Sequence, residues 1–260
     1  MLFRSVASYS NLIRINRFII NPTIKYTNLA LIADLLTGYY VDSNIPEGEM
    51  DVTNDGNIIV RSILDATAND NSTHGLIGIW KYNSINNRWS SATILPAASI
   101  SSGPFNRMNN LTQANVGYRV SISDDGNTVV SSSPYYNNQF GWIGVWTCVN
   151  NTWTQSSILE HPFNFAQNYG GLGYLLKISG DGKIIVGART TVVCVWRNIN
   201  NIWSSPIILS SGLQYINLFD DLAFSKDGNT IVASVRSTDM SDIYGWVGVW
   251  NYSNGSWGSV

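Results

Sequence analysis

The chain has 260 residues, a formal net charge of -2, and 12% charged against 44% hydrophobic residues. So sparse a charge, with Lys and Arg scattered along the chain, excludes an electrostatic nucleic-acid surface and a polyacidic tail. The length is enough for a large core in one all-β domain. Asn supplies roughly a tenth of the residues, far above ordinary usage, and with the abundant Ile this marks an AT-rich genome as much as a function.

In chain order, residues 1–45 come first and are the least regular part. Met1 to Ile20 is broken by Arg4, Arg14 and Arg17, so no signal peptide is read there. The best apolar run, Leu29 to Leu36, is short and interrupted by Asp34, so no membrane span is expected. Leu12 to Ile20 has strand-like character. Asn28 to Thr37 fits a short helix capped by Asn28 and stopped by Gly38, or equally a strand.

From residue 46 onward one pattern occurs four times: an Asp-Gly turn, a strand, a second strand ending in Trp, an Asn-rich turn, and another Trp. The turns are Asp55-Gly56, Asp125-Gly126, Asp181-Gly182 and Asp227-Gly228. The first tryptophans are Trp80, Trp146, Trp196 and Trp250, each answered by Trp89, Trp153, Trp203 and Trp257. Before each turn a period-two apolar face appears (Met50/Val52, Val120/Ile122, Leu176/Ile178, Leu222/Phe224), which predicts a strand. A hydroxyl stands two residues before every Asp (Thr53, Ser123, Ser179, Ser225) and a polar residue follows every Gly, the chemistry of a tight hairpin whose Gly takes positive φ.

The strand after the turn is β-branched in every copy, as in Ile58-Ile59-Val60 and Ile184-Ile185-Val186. The next strand, such as Gly141-Trp142-Ile143-Gly144-Val145-Trp146, is apolar on both faces and is expected to be covered on both sides. Gly78, Gly144 and Gly248, with Cys194 in the third copy, stand two before the Trp, which predicts a neighbouring sheet too close for a larger side chain. Asn86-Asn87, Asn150-Asn151, Asn200-Asn201 and Asn254-Gly255 are read as hairpin turns into a fourth strand.

Four antiparallel strands per repeat make a propeller blade, and radial stacking buries both faces of each sheet. The expected fold is therefore an all-β propeller with blades near residues 46–96, 115–160, 171–210 and 217–260. Residues 1–45 supply a closing strand or a degenerate fifth blade. The fourth copy stops soon after Trp257, where the others continue as in Trp203-Ser204-Ser205-Pro206-Ile207-Ile208-Leu209, and Leu12 to Ile20 has the character to complete it, within the chain or in a neighbour.

Gly117-Tyr118-Arg119-Val120-Ser121-Ile122-Ser123-Asp124-Asp125-Gly126, with Gly141 to Trp146 and Asn151-Thr152-Trp153-Thr154-Gln155, resembles the FG-GAP-like repeat of integrin-α-type β-propellers. Gly173-Tyr174 matches the same opening in the third copy, whereas the fourth has Phe219-Asp220 and the first Glu47-Gly48. The resemblance implies a blade, and in many family members a calcium loop around the Asp-Gly. Only the first copy has a second carboxylate there, Asp51 with Asp55; the others have Ser121, Lys177 and Ala223, so the aspartates are read as turn formers and no metal or cofactor is expected.

No catalytic constellation is legible. His74 and His161 lack partner spacing, glutamates are few, and the Asp-Gly hairpins lack the extra residue of a sialidase Asp-box. The leading expectation is a non-enzymatic interaction or structural module on a cell, filament or virus-particle surface, self-associating or binding another protein. The alternative is a lectin-type propeller, with Trp142 and Trp246 as stacking platforms beside Tyr135 and Tyr136, and a glycoside-hydrolase-like propeller ranks third. Cys148 and Cys194 read as core thiols. Asn71, Asn110, Asn150, Asn251 and Asn254 are glycosylation acceptors by motif.

Overall fold

A computed structural model describes residues 49–63, 76–95, 116–134, 141–160, 171–189, 192–210, 219–235 and 245–259, and three short strands nearer the N-terminus. Among the described residues there are strands and turns but no helix. The short strands β1 (Ser8–Tyr9), β2 (Leu12–Ile13) and β3 (Ile32–Ala33) form an antiparallel sheet of their own in the order β1-β2-β3.

Four blades follow. Blade 1 comprises β4 (Met50–Val52), β5 (Ile58–Ile63), β6 (Leu76–Asn83), β7 (Arg88–Trp89) and β8 (Thr93–Ile94). Blade 2 comprises β9 (Val120–Ile122), β10 (Thr128–Ser133), β11 (Trp142–Val149) and β12 (Thr152–Glu160). Blade 3 comprises β13 (Leu175–Ile178), β14 (Ile184–Arg189), β15 (Val192–Ile199), β16 (Ile202–Trp203) and β17 (Ile207–Ser210). Blade 4 comprises β18 (Asp221–Phe224), β19 (Thr230–Val235), β20 (Trp246–Ser253) and β21 (Ser256–Trp257). Each is an antiparallel meander. The outer strand is continuous in blade 2, with a register shift opposite Val145 and Trp146, and broken into two pieces in blades 1 and 3.

The repeated turn is a hydrogen-bond knot. In copy two, Ser123 Oγ donates to Asp125 Oδ1 at 2.5 Å, Asn127 N donates to the same oxygen at 3.0 Å, and Thr128 N donates back to Ser123 Oγ at 3.0 Å. The other copies repeat the three bonds with Thr53 and Asp55, Ser179 and Asp181, and Ser225 and Asp227. Gly56, Gly126, Gly182 and Gly228 hold φ of 69°, 69°, 69° and 72°, a conformation that costs glycine little. The aspartates are turn formers, as their spacing suggests.

At the opposite hairpins, Asn150-Asn151, Asn200-Asn201 and Asn254-Gly255 place two consecutive residues at positive φ, the type I′ geometry that matches strand twist. The second Trp of each copy then lies across from Tyr82, Cys148, Asn198 or Tyr252 on the preceding strand. In copies one and four this makes a tilted aromatic pair, with centroids 5.4 and 5.3 Å apart.

The innermost strands β4, β9, β13 and β18 pack side by side in that order, and no like approach brings β18 to β4 among the described residues. The cores lie between blades. Val60, Ile77 and Ile79 of blade 1 meet Val120, Ile122, Trp142 and Trp146 of blade 2. Val130, Ile143 and Val145 meet Leu176, Ile178 and Trp196 of blade 3. Val186, Val193 and Val195 meet Leu222, Ile231 and Trp250 of blade 4.

One expectation is corrected. The glycines before the first Trp are not pressed by a neighbouring sheet but lie under a tryptophan of their own strand. A Cβ on Gly78 would come 2.5 Å from the Trp80 ring, and one on Gly144 as close to Trp146, because residues i and i+2 share a face. In copy four the ring over Gly248 is that of Trp246, two residues earlier. Leu12–Ile13 pairs with Ser8–Tyr9 and Ile32–Ala33, and residues 14–20 of the expected closing strand lie outside the described residues.

Candidate interaction surface

The charged groups of the inner strands are committed to holding blades together. Glu49 lies 3.9 Å from Arg119 and 3.8 Å from Lys177, and its Oε2 accepts from Val120 N at 3.2 Å. Asp51 Oδ2 accepts from Ser121 Oγ at 2.8 Å and from Ile122 N at 3.1 Å. Arg119 donates through Nε to the Tyr174 carbonyl at 2.9 Å, and its guanidinium lies 5.2 Å from the Tyr118 ring. Near the turns, Asp124 N donates to Gly180 O, Gly180 N donates to Lys226 O, and Lys226 Nζ meets Asp124 Oδ1 at 3.2 Å. A side chain at Gly180 would meet the Asp124 carboxylate, so that glycine lets blade 2 reach blade 4.

Titration follows from the same bonds. Partial burial works against the Asp125 carboxylate, but donation from Ser123 and Asn127 outweighs it and leaves the group below its ordinary range. Donation from Ser225 and Asn229 lowers Asp227 likewise. Burial pushes the Cys194 thiol up to about 12, so it acts as a protonated apolar filler; Cys148 is half-buried and also free. Among the described residues no group of three or more His, Cys, Asp or Glu is arranged to hold a metal ion.

The surface that stands out is the far face of blade 4. Cross-strand registers define two rows on it, Asp221–Ser234–Val247 and Ala223–Val232–Val249. The matching rows of blade 3 are Leu175–Ala188–Val193–Leu209 and Lys177–Val186–Val195–Ile207. Val193 and Val195 are 0% exposed beneath blade 4, whereas Val247 is 66% and Val249 42% exposed. The rows of blade 4 also end one strand early. In blades 1 to 3 the third strand pairs outward with β8, β12 or β17, but in blade 4 the outer partner β21 reaches only Tyr252 and Ser253. Leu95 N donates to Ile77 O at 2.9 Å, so residues at that position and two beyond point their main chain outward. In blade 4 these are Val247 and Val249.

The aromatic candidates fall on different ground. Trp142 is 1% exposed and packed between blades 1 and 2, so it offers no face to a sugar ring and belongs to the core. Trp246 is half-buried against blade 3, its ring 5.9 Å from Trp250 and 6.1 Å from Phe219. Tyr135 and Tyr136 lie outside the described residues, as do Asn71, Asn110, His74 and His161. Asn150, Asn251 and Asn254 are exposed, Asn150 and Asn254 in type I′ turns.

No family model matches the chain, and no curated protein matches it. Solved structures do. A protein from Lactobacillus plantarum aligns with a TM-score of 0.55 at 11% identity, covering 98% of this chain and 65% of its own. A complex of KlAtg21 with the coiled coil of AgAtg16 gives 0.48 at 13% identity over 79% of this chain and 58% of that one. The β-propeller domain of the Trilobed protease from Pyrococcus furiosus gives 0.45 at 10% identity over 85% of this chain and 57% of that one. The chain thus spans less than two thirds of the length of these structures. Likeness at such identity concerns the fold alone. By its four stacked antiparallel sheets, and with the likeness to the Lactobacillus plantarum protein, the chain is an all-β protein of β-propeller blades.

Proposed function

We propose that this chain is a non-enzymatic interaction module that engages another polypeptide through the far face of blade 4. One observation carries the reading: valines at the positions buried in the other three blades stand exposed at Val247 and Val249. An exposed apolar face is a surface for association. The polar side chains elsewhere support the reading, since the inner-strand carboxylates are engaged in turns or inter-blade bonds. A setting on a cell, filament or particle surface fits the exposed acceptors Asn150, Asn251 and Asn254. A glycan-binding role would rest on Trp246 and be read as loss of glycan-array signal in Trp246→Ala.

The test is solution mass by light scattering across a range of concentrations, alone and with candidate partners, for the native chain and for Val247→Lys. Association that Val247→Lys abolishes is the expected result. A chain that stays monomeric and binds nothing, or whose association ignores Val247→Lys, sets the reading aside.

A further inference from the structure

The Asn-rich hairpins carry Asn86-Asn87, Asn150-Asn151, Asn200-Asn201 and Asn254-Gly255, and the last is the only Asn-Gly pair in the sequence. An Asn side-chain amide is attacked most readily by the main-chain nitrogen of the next residue when that residue has no Cβ to crowd the approach. Asn254 and Gly255 are both exposed, at φ of 52° and 82°, and nothing lies within 4 Å of the place a Gly255 Cβ would take. Among the described residues neither the Asn254 amide nor Gly255 N has a hydrogen-bond partner. The Asp-Gly turns are closed to the same reaction. Gly56, Gly126, Gly182 and Gly228 donate their N–H to the carbonyls of Thr53, Ser123, Ser179 and Ser225 at 2.9, 3.0, 3.0 and 3.0 Å. Each Asp oxygen is held by a hydroxyl and by the N–H of the residue after the Gly. An ionised carboxylate is also a poor electrophile, and the same bonds favour the ionised form of Asp125 and Asp227.

We infer that Asn254 is a site of spontaneous deamidation, a covalent modification that falls on this hairpin and spares the other turns. Gly255 N forms a bond to Asn254 Cγ, the Cγ–Nδ2 bond breaks, and the Gly255 proton leaves by way of water with Nδ2 as ammonia. A water molecule then opens the cyclic imide at one of its two carbonyls, which leaves aspartate or isoaspartate at position 254. The two products act differently. Aspartate keeps the main chain and suits a type I′ turn as well as Asn does. Isoaspartate takes its Cβ into the main chain, one atom more than the turn holds, and shifts the register Tyr252↔Trp257 and Ser253↔Ser256. Trp257 lies against Tyr252, ring centroids 5.3 Å apart, and the Arg197 guanidinium of blade 3 is 3.8 Å from the Tyr252 centroid. The shift therefore loosens the seam between blades 3 and 4. Asn254 Nδ2 is also the acceptor of the Asn-Gly-Ser glycosylation motif, so a glycan there closes this route.

The test follows the folded full-length chain in mildly alkaline buffer at physiological temperature. Tryptic peptide mapping with tandem mass spectrometry reads the conversion of each amide to acid, and an isoaspartyl methyltransferase with S-adenosylmethionine reads isoaspartate. Asn254 is expected to convert at roughly ten times the rate of Asn150 or Asn200, or faster. Gly255→Ala should slow the conversion roughly tenfold. Methyl acceptance should map to position 254 in the folded chain, and to Asp125 as well only in concentrated urea, where the turn knots are undone.

An Asn254 that stays an amide, or converts no faster than Asn150 and Asn200, overturns the proposal. So does a rate that Gly255→Ala leaves unchanged. Methyl acceptance at the Asp-Gly turns of the folded chain, at the rate found for position 254, overturns it equally, because the bonds that distinguish those turns would then protect nothing.

Discussion

Blades 3 and 4 share three valines on the same face, Val186, Val193 and Val195 in one and Val232, Val247 and Val249 in the other, although Leu175 and Ala188 of blade 3 are replaced by Asp221 and Ser234 in blade 4. In blade 3 the column is sealed under Leu222, Ile231 and Trp250; in blade 4 it faces water. Burial of the three shared valines therefore follows from having a neighbour, while Asp221 and Ser234 make the rest of the blade 4 face polar. An apolar column kept without a cover has no stabilising reason within the described residues, and that makes it a candidate for use.

The sharpest way to break this comparison is to put a charge in each column. Val195→Asp leaves an unpaired carboxylate in the core between blades 3 and 4 and should cost ~4 kcal/mol or more, read as a collapsed urea midpoint. Val249→Asp should change stability by no more than about 0.5 kcal/mol, as surface changes do. Similar costs at the two sites would mean that blade 4 is covered in solution.

Smaller effects test the framework that both blades share. Gly144→Ala forces a Cβ into the Trp146 ring and should cost about 1–3 kcal/mol by overpacking. Gly255→Ala, at φ 82° with nothing near its Cβ, should cost only ~1 kcal/mol of backbone strain. Ser123→Ala removes the buried hydroxyl of the turn knot and should cost about 1–2 kcal/mol.

That last variant also has a pH signature. Asp125 holds its carboxyl below its unfolded value, so the unfolded chain takes up the proton first. The contribution to stability is present above about pH 4 and is lost as pH falls through the lower folded value. Ser123→Ala removes one of the donors that lower the group. Acid titration of the urea midpoint should therefore show a shallower loss below about pH 4 than in the native chain.

The parts of the molecule legible in the sequence are those fixed by neighbours along the chain. The Asp-Gly knots and Asn-rich turns depend on residues within five positions of one another, and their φ angles follow from the residue types. The repeat of Trp and the β-branched strands was enough to reach a propeller. The environment of Trp142 and Trp246 was not legible. The two share a repeat position, yet Trp142 is fully buried between blades 1 and 2 whereas Trp246 is only half-buried between blades 3 and 4. The exposure of Val247 and Val249 escaped for the same reason, since a both-faces-apolar strand implies two covers.

The most direct measurement is amide hydrogen exchange of the full-length chain, comparing Val247 and Val249 with Val193 and Val195. All four point their N–H outward, but only the blade 3 pair has β17 to receive it. Fast exchange at Val247 and Val249 with slow exchange at Val193 and Val195 is the predicted result. Equal protection of both pairs in the chain alone would contradict the account, because the edge of β20 would then already be filled.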